Sequence, residues 1–112
     1  MKEFLFLFRR DFNTRENQPT PEELKMHLDH WQEWFGRLAE QGILARPPQQ
    51  WDGQGRIVSQ GKSVVNGPYA EIKESIGGMI IIKAADYEAA EKIAMGCPIL
   101  ELGGTVEIRM GT

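Results

Sequence analysis

Disulfide chemistry is closed to this chain, because Cys97 is its only cysteine; no covalent framework supports the fold, and a packed core must do so. Histidine is nearly as scarce, with only His27 and His30, and so sparse a set of soft ligands excludes a zinc-ribbon pattern. No long hydrophobic run is present. The stretch Phe4-Leu5-Phe6-Leu7-Phe8 is stopped by Arg9, Arg10 and Asp11, too soon for a signal-peptide core and far short of the roughly 18 apolar residues of a membrane span. With a lone thiol and no export signal, the expected compartment is the cytosol. A basic surplus is missing too: 13 basic against 16 acidic residues leave a net charge of −3, which argues against nucleic acid as the partner. What is there is 112 residues, 41% of them hydrophobic, the length of one domain that can bury a core unaided.

Residues 3–8 read as a strand with Phe4, Phe6 and Phe8 on one face and Leu5 and Leu7 on the other. Gly78-Met79-Ile80-Ile81-Ile82-Lys83 is apolar on both faces as well. Strands of this kind need cover on both sides, and two helices cover only one. A second copy of the molecule is the economical cover for the other, so a homodimer is expected. The clearest helix spans about 20–41: Thr20 is a good N-cap, Pro21 suits the first turn, and Glu23 completes a capping box. Leu24, Leu28, Trp31, Phe35 and Leu38 follow as a continuous apolar stripe, and Gly42 reads as the stop. Ala45–Gly55 is a Pro- and Gly-punctuated loop with Trp51 as an anchor. Two short strands, 56–59 and 62–66, flank a Gln60-Gly61 turn. A charged excursion, 69–74, precedes the apolar strand, Asp86 caps a helix over 87–95, and 105–110 alternates as a last strand. The order predicts an α+β fold: a ferredoxin-like sheet with both helices on one face.

Three segments carry a resemblance: Val64-Val65-Asn66-Gly67-Pro68-Tyr69-Ala70-Glu71-Ile72-Lys73-Glu74 with Ile76-Gly77-Gly78; Ala94-Met95-Gly96-Cys97-Pro98-Ile99 running to Gly103–Arg109; and His27-x-x-x-Trp31-x-x-Trp34. In these the chain resembles the YCII-related family and its DGPF-domain branch, over essentially its whole length as a single domain. Asn66 stands where that branch has Asp, and Tyr69 where it has Phe, so the loop lacks one carboxylate. The resemblance implies a dimeric α+β barrel of two ferredoxin-like sheets packed face to face. It also implies a suspected enzymatic role resting on a His–Asp pair in the wider group. The Asp of that pair belongs near the Cys97-Pro98 step, so the pairing is not expected to carry over here.

His27 is the leading catalytic candidate. It lies one turn before Trp31, with Trp34 and Leu38 continuing the same edge, and an imidazole beside aromatic walls can shuttle protons near neutrality. The competing reading is a boundary histidine bonded to backbone or water. Glu71 is the acid chosen to assist it, since Tyr69 and Ile72 flank it with apolar surface. Trp31, Trp34 and Tyr69 are expected to line a pocket, with Asn66, Gly67, Pro68 and Lys73 contributing binding groups from a tight turn. The same turn residues also suit a purely structural role. His30 is expected to be solvated, since a His-x-x-His pair lacks further ligands for a metal; Cys97 is expected to be a packed small residue. The predicted activity is binding of a small organic metabolite with cofactor-free acid–base chemistry upon it. The alternative is a non-catalytic dimeric binding or regulatory module.

Overall fold

A computed structural model of the protein describes residues 1–10, 19–49, 51, 55–66 and 75–112. Five strands and two α-helices follow in the order β1 (Lys2–Arg10), α1 (Pro21–Glu40), β2 (Arg56–Val58), β3 (Val64–Asn66), β4 (Ser75–Ala84), α2 (Tyr87–Ala94) and β5 (Thr105–Met110), with a short 3₁₀ helix, Pro98–Leu102, before the last strand. This is a ferredoxin-like α+β arrangement.

The sheet has the order β4-β1-β5, antiparallel throughout. Strand β1 lies at its centre because it is apolar on both faces and can pair on both edges. Phe4, Phe6 and Phe8 oppose Ile82, Ile80 and Gly78 on one side and Met110, Ile108 and Val106 on the other. One face of the sheet thereby carries the core: Phe4 and Phe6 are fully buried, with Ile80, Ile82, Trp34, Leu38, Ala90 and Ala94 packed around them. Both helices lie on this face. Tyr87 of α2 meets Phe4 edge-on at 5.1 Å, and Trp31 of α1 meets Phe8 at 5.0 Å between ring centroids. Full burial of a ring such as Phe4 contributes about 1.5–3 kcal/mol.

Sequence and structure differ in three places. Arg9 and Arg10 continue β1 rather than ending it, since Arg9 finds a partner across the sheet in Glu107, with Nε 3.1 Å from Oε1, and Arg10 follows the alternation inward. The expected single sheet is divided: among the described residues β2 and β3 pair only with each other, and the sheet is open rather than closed into a barrel. Helix α1 ends at Gly42 as expected, in a Schellman turn with the Ile43 N–H donating to the Leu38 carbonyl at 2.9 Å. That turn sends Ile43–Ala45 along the outer edge of β4, bridging Leu44 to Ile82. Finally, Leu24 and Leu28 do not reach the core. The buried residues of α1 are His27, Trp34 and Leu38, so the apolar stripe is rotated toward a cleft at the N-terminal half of the helix. No helix among the described residues is long and apolar enough to cross a membrane.

Candidate functional site

Helix α1 starts where Thr20 accepts a hydrogen bond from the Glu23 N–H at 3.1 Å, and its phase then directs His27 inward. The side chain of His27 is 7% exposed, yet both its ring nitrogens are engaged. The Trp31 indole N–H, which can only donate, reaches His27 Nε2 at 2.7 Å. Nε2 is therefore the acceptor, and the proton of the neutral ring sits on Nδ1. That nitrogen donates to Glu101 Oε2 at 3.2 Å. Glu101 stands on the 3₁₀ helix, which Cys97 and Pro98 open and Gly103, in the left-handed region at φ 76°, closes. Its carboxylate is shared with His30, whose Nδ1 lies 2.7 Å from Oε1 and 2.9 Å from Oε2. A continuous chain results: indole, buried imidazole, carboxylate, exposed imidazole.

The charges in this chain support one another. The bond to Glu101 is the main cause of a raised His30 pKa, burial opposing it and nearby carboxylates adding to it. The bond to His30 holds the Glu101 carboxyl below its usual range, and the bond to His27 adds to the effect. Both groups lie in solvent, their side chains 40% and 45% exposed, so the pair is well screened and is a proton-exchange point more than a stability device. Among the described residues no group of three or more His, Cys, Asp or Glu is arranged to hold a metal ion. Burial pushes the Cys97 thiol up to about 12, which makes it an inert packing residue in agreement with its sequence context.

His27 and Trp31 also face a cleft of about 800 Å³ between α1, the end of the sheet and the residues Pro48, Gln49 and Trp51. Phe8, Gly78 and Ile80 lie on the sheet side of the cleft, Leu24, Leu28 and Phe35 on the α1 side, and Pro48 and Trp51 complete the lining, with Arg10 among the lining residues. A size and apolar lining of this kind suit a small organic ligand. A register shift lies beside the cleft: Phe8 pairs with Gly78 but Arg9 with Ile76, the local irregularity that re-aims strand residues near sites.

Of the sequence-predicted residues, His27 and Trp31 come together at the cleft. Trp34 is 3% exposed and packs in the core against Phe8, Trp31 and Phe35. Asn66 is exposed at the end of β3. Gly67, Pro68, Tyr69, Glu71 and Lys73 lie outside the described residues. Two site residues escaped sequence reasoning. Arg10 looked like a strand terminator; Glu101 lies in a segment without periodicity, between Leu100 and Leu102, and the Pro98 start and Gly103-Gly104 stop were its only signals. Glu101 corrects the expectation that the acid partner is lost: it reaches His27 from four residues beyond Cys97.

An α+β domain whose first helix presents a histidine to a carboxylate beside an apolar cleft is thereby defined. The YCII-related domain model matches residues 13–110, and the chain belongs to that family. The comparison with curated proteins found no match.

Proposed function

We propose that the cleft binds a small organic metabolite and that His27 carries out acid–base chemistry on it, with Glu101 and His30 as its proton connection to solvent. The Trp31–His27–Glu101–His30 chain carries this reading. It joins a buried imidazole at the cleft wall to a carboxylate and an exposed imidazole whose pKa values are displaced in the directions that favour an ion pair near neutrality. A ligand with a polar hydrogen competes with the Trp31 indole for Nε2, and a proton taken there is compensated by loss of the Nδ1 proton toward Glu101. The chemistry uses side chains of this chain alone. Within the family we assign the chain to the DGPF-type branch on Asn66-Gly67-Pro68-Tyr69, and we read it as a cytosolic homodimer. Glu71, proposed to assist His27, and Lys73, proposed as a binding group, lie outside the described residues.

One observation favours a second reading. Nε2 is already occupied by the Trp31 N–H at 2.7 Å, so a protein that only binds its ligand would keep this bond intact. Weak carbon acids, phenols and lactones that raise the melting temperature separate the two. Each is incubated with the protein in D₂O and followed by proton NMR. An acid–base enzyme exchanges an activated C–H for deuterium, and Glu101→Gln slows that exchange by about 10²-fold or more. Binding without any exchange, unaltered by Glu101→Gln, identifies the non-catalytic module.

A further inference from the structure

The Trp31 indole N–H and His27 Nε2 meet at 2.7 Å, and both residues line the cleft. The two atoms have opposite chemistry with no choice of role. The indole nitrogen can only donate, and Nε2 can only accept while Nδ1 carries the ring proton toward Glu101. Phe8, Leu28 and Phe35 belong to the same lining, and in apolar surroundings a donor or acceptor left without its partner is costly. A ligand group that enters between the two nitrogens must therefore accept from Trp31 and donate to His27 at once. A carbonyl, an ether or a carboxylate only accepts, and an ammonium only donates. A hydroxyl does both at one oxygen. Its entry parts the two nitrogens by about 2 Å at ordinary hydrogen-bond lengths, and the open cleft beside the indole gives the ring room to turn.

We propose that the ligand of the cleft carries a weakly acidic hydroxyl, of the phenol or enol kind, on a flat apolar body, and that this hydroxyl bridges His27 Nε2 and the Trp31 indole N–H. The inference rests on the reading of the cleft as a ligand site; it adds the chemical class of the ligand and gives Trp31 a catalytic role. When the O–H bond breaks, its proton forms the N–H bond on Nε2 and its electron pair stays on the oxygen. The negative charge developing there is held by the indole N–H already bonded to it, and the positive charge on the imidazole meets the Glu101 carboxylate through Nδ1–H. Acidity selects within the hydroxyls. An ordinary phenol titrates about 3.5 units above an ordinary imidazole, a gap that charge-assisted bonds at both ends narrow; an aliphatic alcohol is far too weak an acid. The rings of Phe8, Phe35 and Trp51 in the lining suit a flat body.

The probes 2-naphthol and 2-methoxynaphthalene share that body and the oxygen, and only the first has the hydrogen. Equilibrium dialysis against the full chain is run at about pH 8, where an ordinary imidazole is neutral and an ordinary phenol protonated. The naphthol is expected to bind about tenfold more tightly than the ether. The red-shifted absorption of naphtholate then follows ionisation of the bound hydroxyl as pH is raised. Bound naphthol is expected to ionise at lower pH than free naphthol, and Trp31→Phe, which keeps an aromatic ring without the N–H, lowers its ionisation constant about tenfold. Equal binding of naphthol and ether by the unaltered chain overturns the hydroxyl assignment while leaving the cleft a ligand site, and this comparison needs no variant. Naphthol that ionises as readily in folded Trp31→Phe overturns the role of Trp31. Should that variant fail to fold, ¹⁵N-tryptophan labelling reads the contact in the unaltered chain: a Trp31 indole N–H signal that moves with naphthol and not with the ether supports the bridge, and one indifferent to naphthol overturns it. Failure of both probes to bind removes the ligand-site reading together with the inference.

Discussion

Glu101 is the residue on which the site turns, since among the described residues it is the group bonded to both histidines. Glu101→Gln removes the main cause of the raised His30 pKa, so the His30 C2–H titration followed by NMR moves to lower pH in the variant. A stability effect accompanies it, and its sign follows from the two shifts. The raised His30 contributes fully below its ordinary value of 6.5 and less as pH rises through its folded-state pKa. The lowered Glu101 contributes fully above its ordinary value of 4.5 and less as pH falls through its folded-state pKa. The melting-temperature difference between the native chain and Glu101→Gln is therefore largest between those two ordinary values and shrinks toward alkaline pH. Cys97 provides a complementary prediction. With its thiol raised to about 12 and 2% of the residue exposed, it resists iodoacetamide in the folded chain and reacts readily in denaturant.

The 3₁₀ helix is the element that assembles the site, and it depends on the glycines that end it. A Cβ on Gly104 would lie 2.6 Å from the Arg9 carbonyl oxygen and 2.5 Å from Ile99 Cγ1, so the backbone has no room to yield. Gly104→Ala is expected to cost about 1–3 kcal/mol in denaturant unfolding and to loosen the Glu101 contacts with it. Thr20→Ala, which removes the α1 cap, costs about 1 kcal/mol by the same measurement. These elements differ in how far they can be read from sequence. Helix α1 is legible almost to the residue because its signals are local: a cap, a stripe and the Gly42 stop. The 3₁₀ helix has no hydrophobic period to betray it. The extension of β1 through Arg9 and Arg10 depends on Glu107 and on a cleft assembled by distant segments, and neither is visible beside two adjacent arginines. His27 was found because its helical phase matches Trp34 and Leu38; its acid partner, 74 positions away, was not.

At the scale of the whole molecule the sheet keeps a second apolar face. Leu5 opposes Ile81 and Leu7 opposes Met79 there, all half-buried, with a charged flank in which Glu107 bonds both Arg9 and Arg109. No α-helix packs on this face among the described residues, and it is the face a second copy covers in the proposed homodimer. Sedimentation velocity at micromolar concentration is expected to give the dimer mass. Leu7→Glu, which sets a carboxylate in the middle of the apolar patch, shifts the distribution to monomer while far-ultraviolet dichroism stays unchanged. A monomeric native chain would remove the explanation for strands that are apolar on both sides.

His27 links the cleft to Glu101 with its proton on Nδ1. Long-range proton–nitrogen NMR of ¹⁵N-histidine-labelled protein at about pH 8, where an ordinary imidazole is neutral, reads the tautomer directly. His27 is expected as the Nδ1–H tautomer, with Nε2 unprotonated and accepting from Trp31, and with a different signal in Glu101→Gln. An Nε2–H tautomer, indifferent to Glu101→Gln, would contradict it.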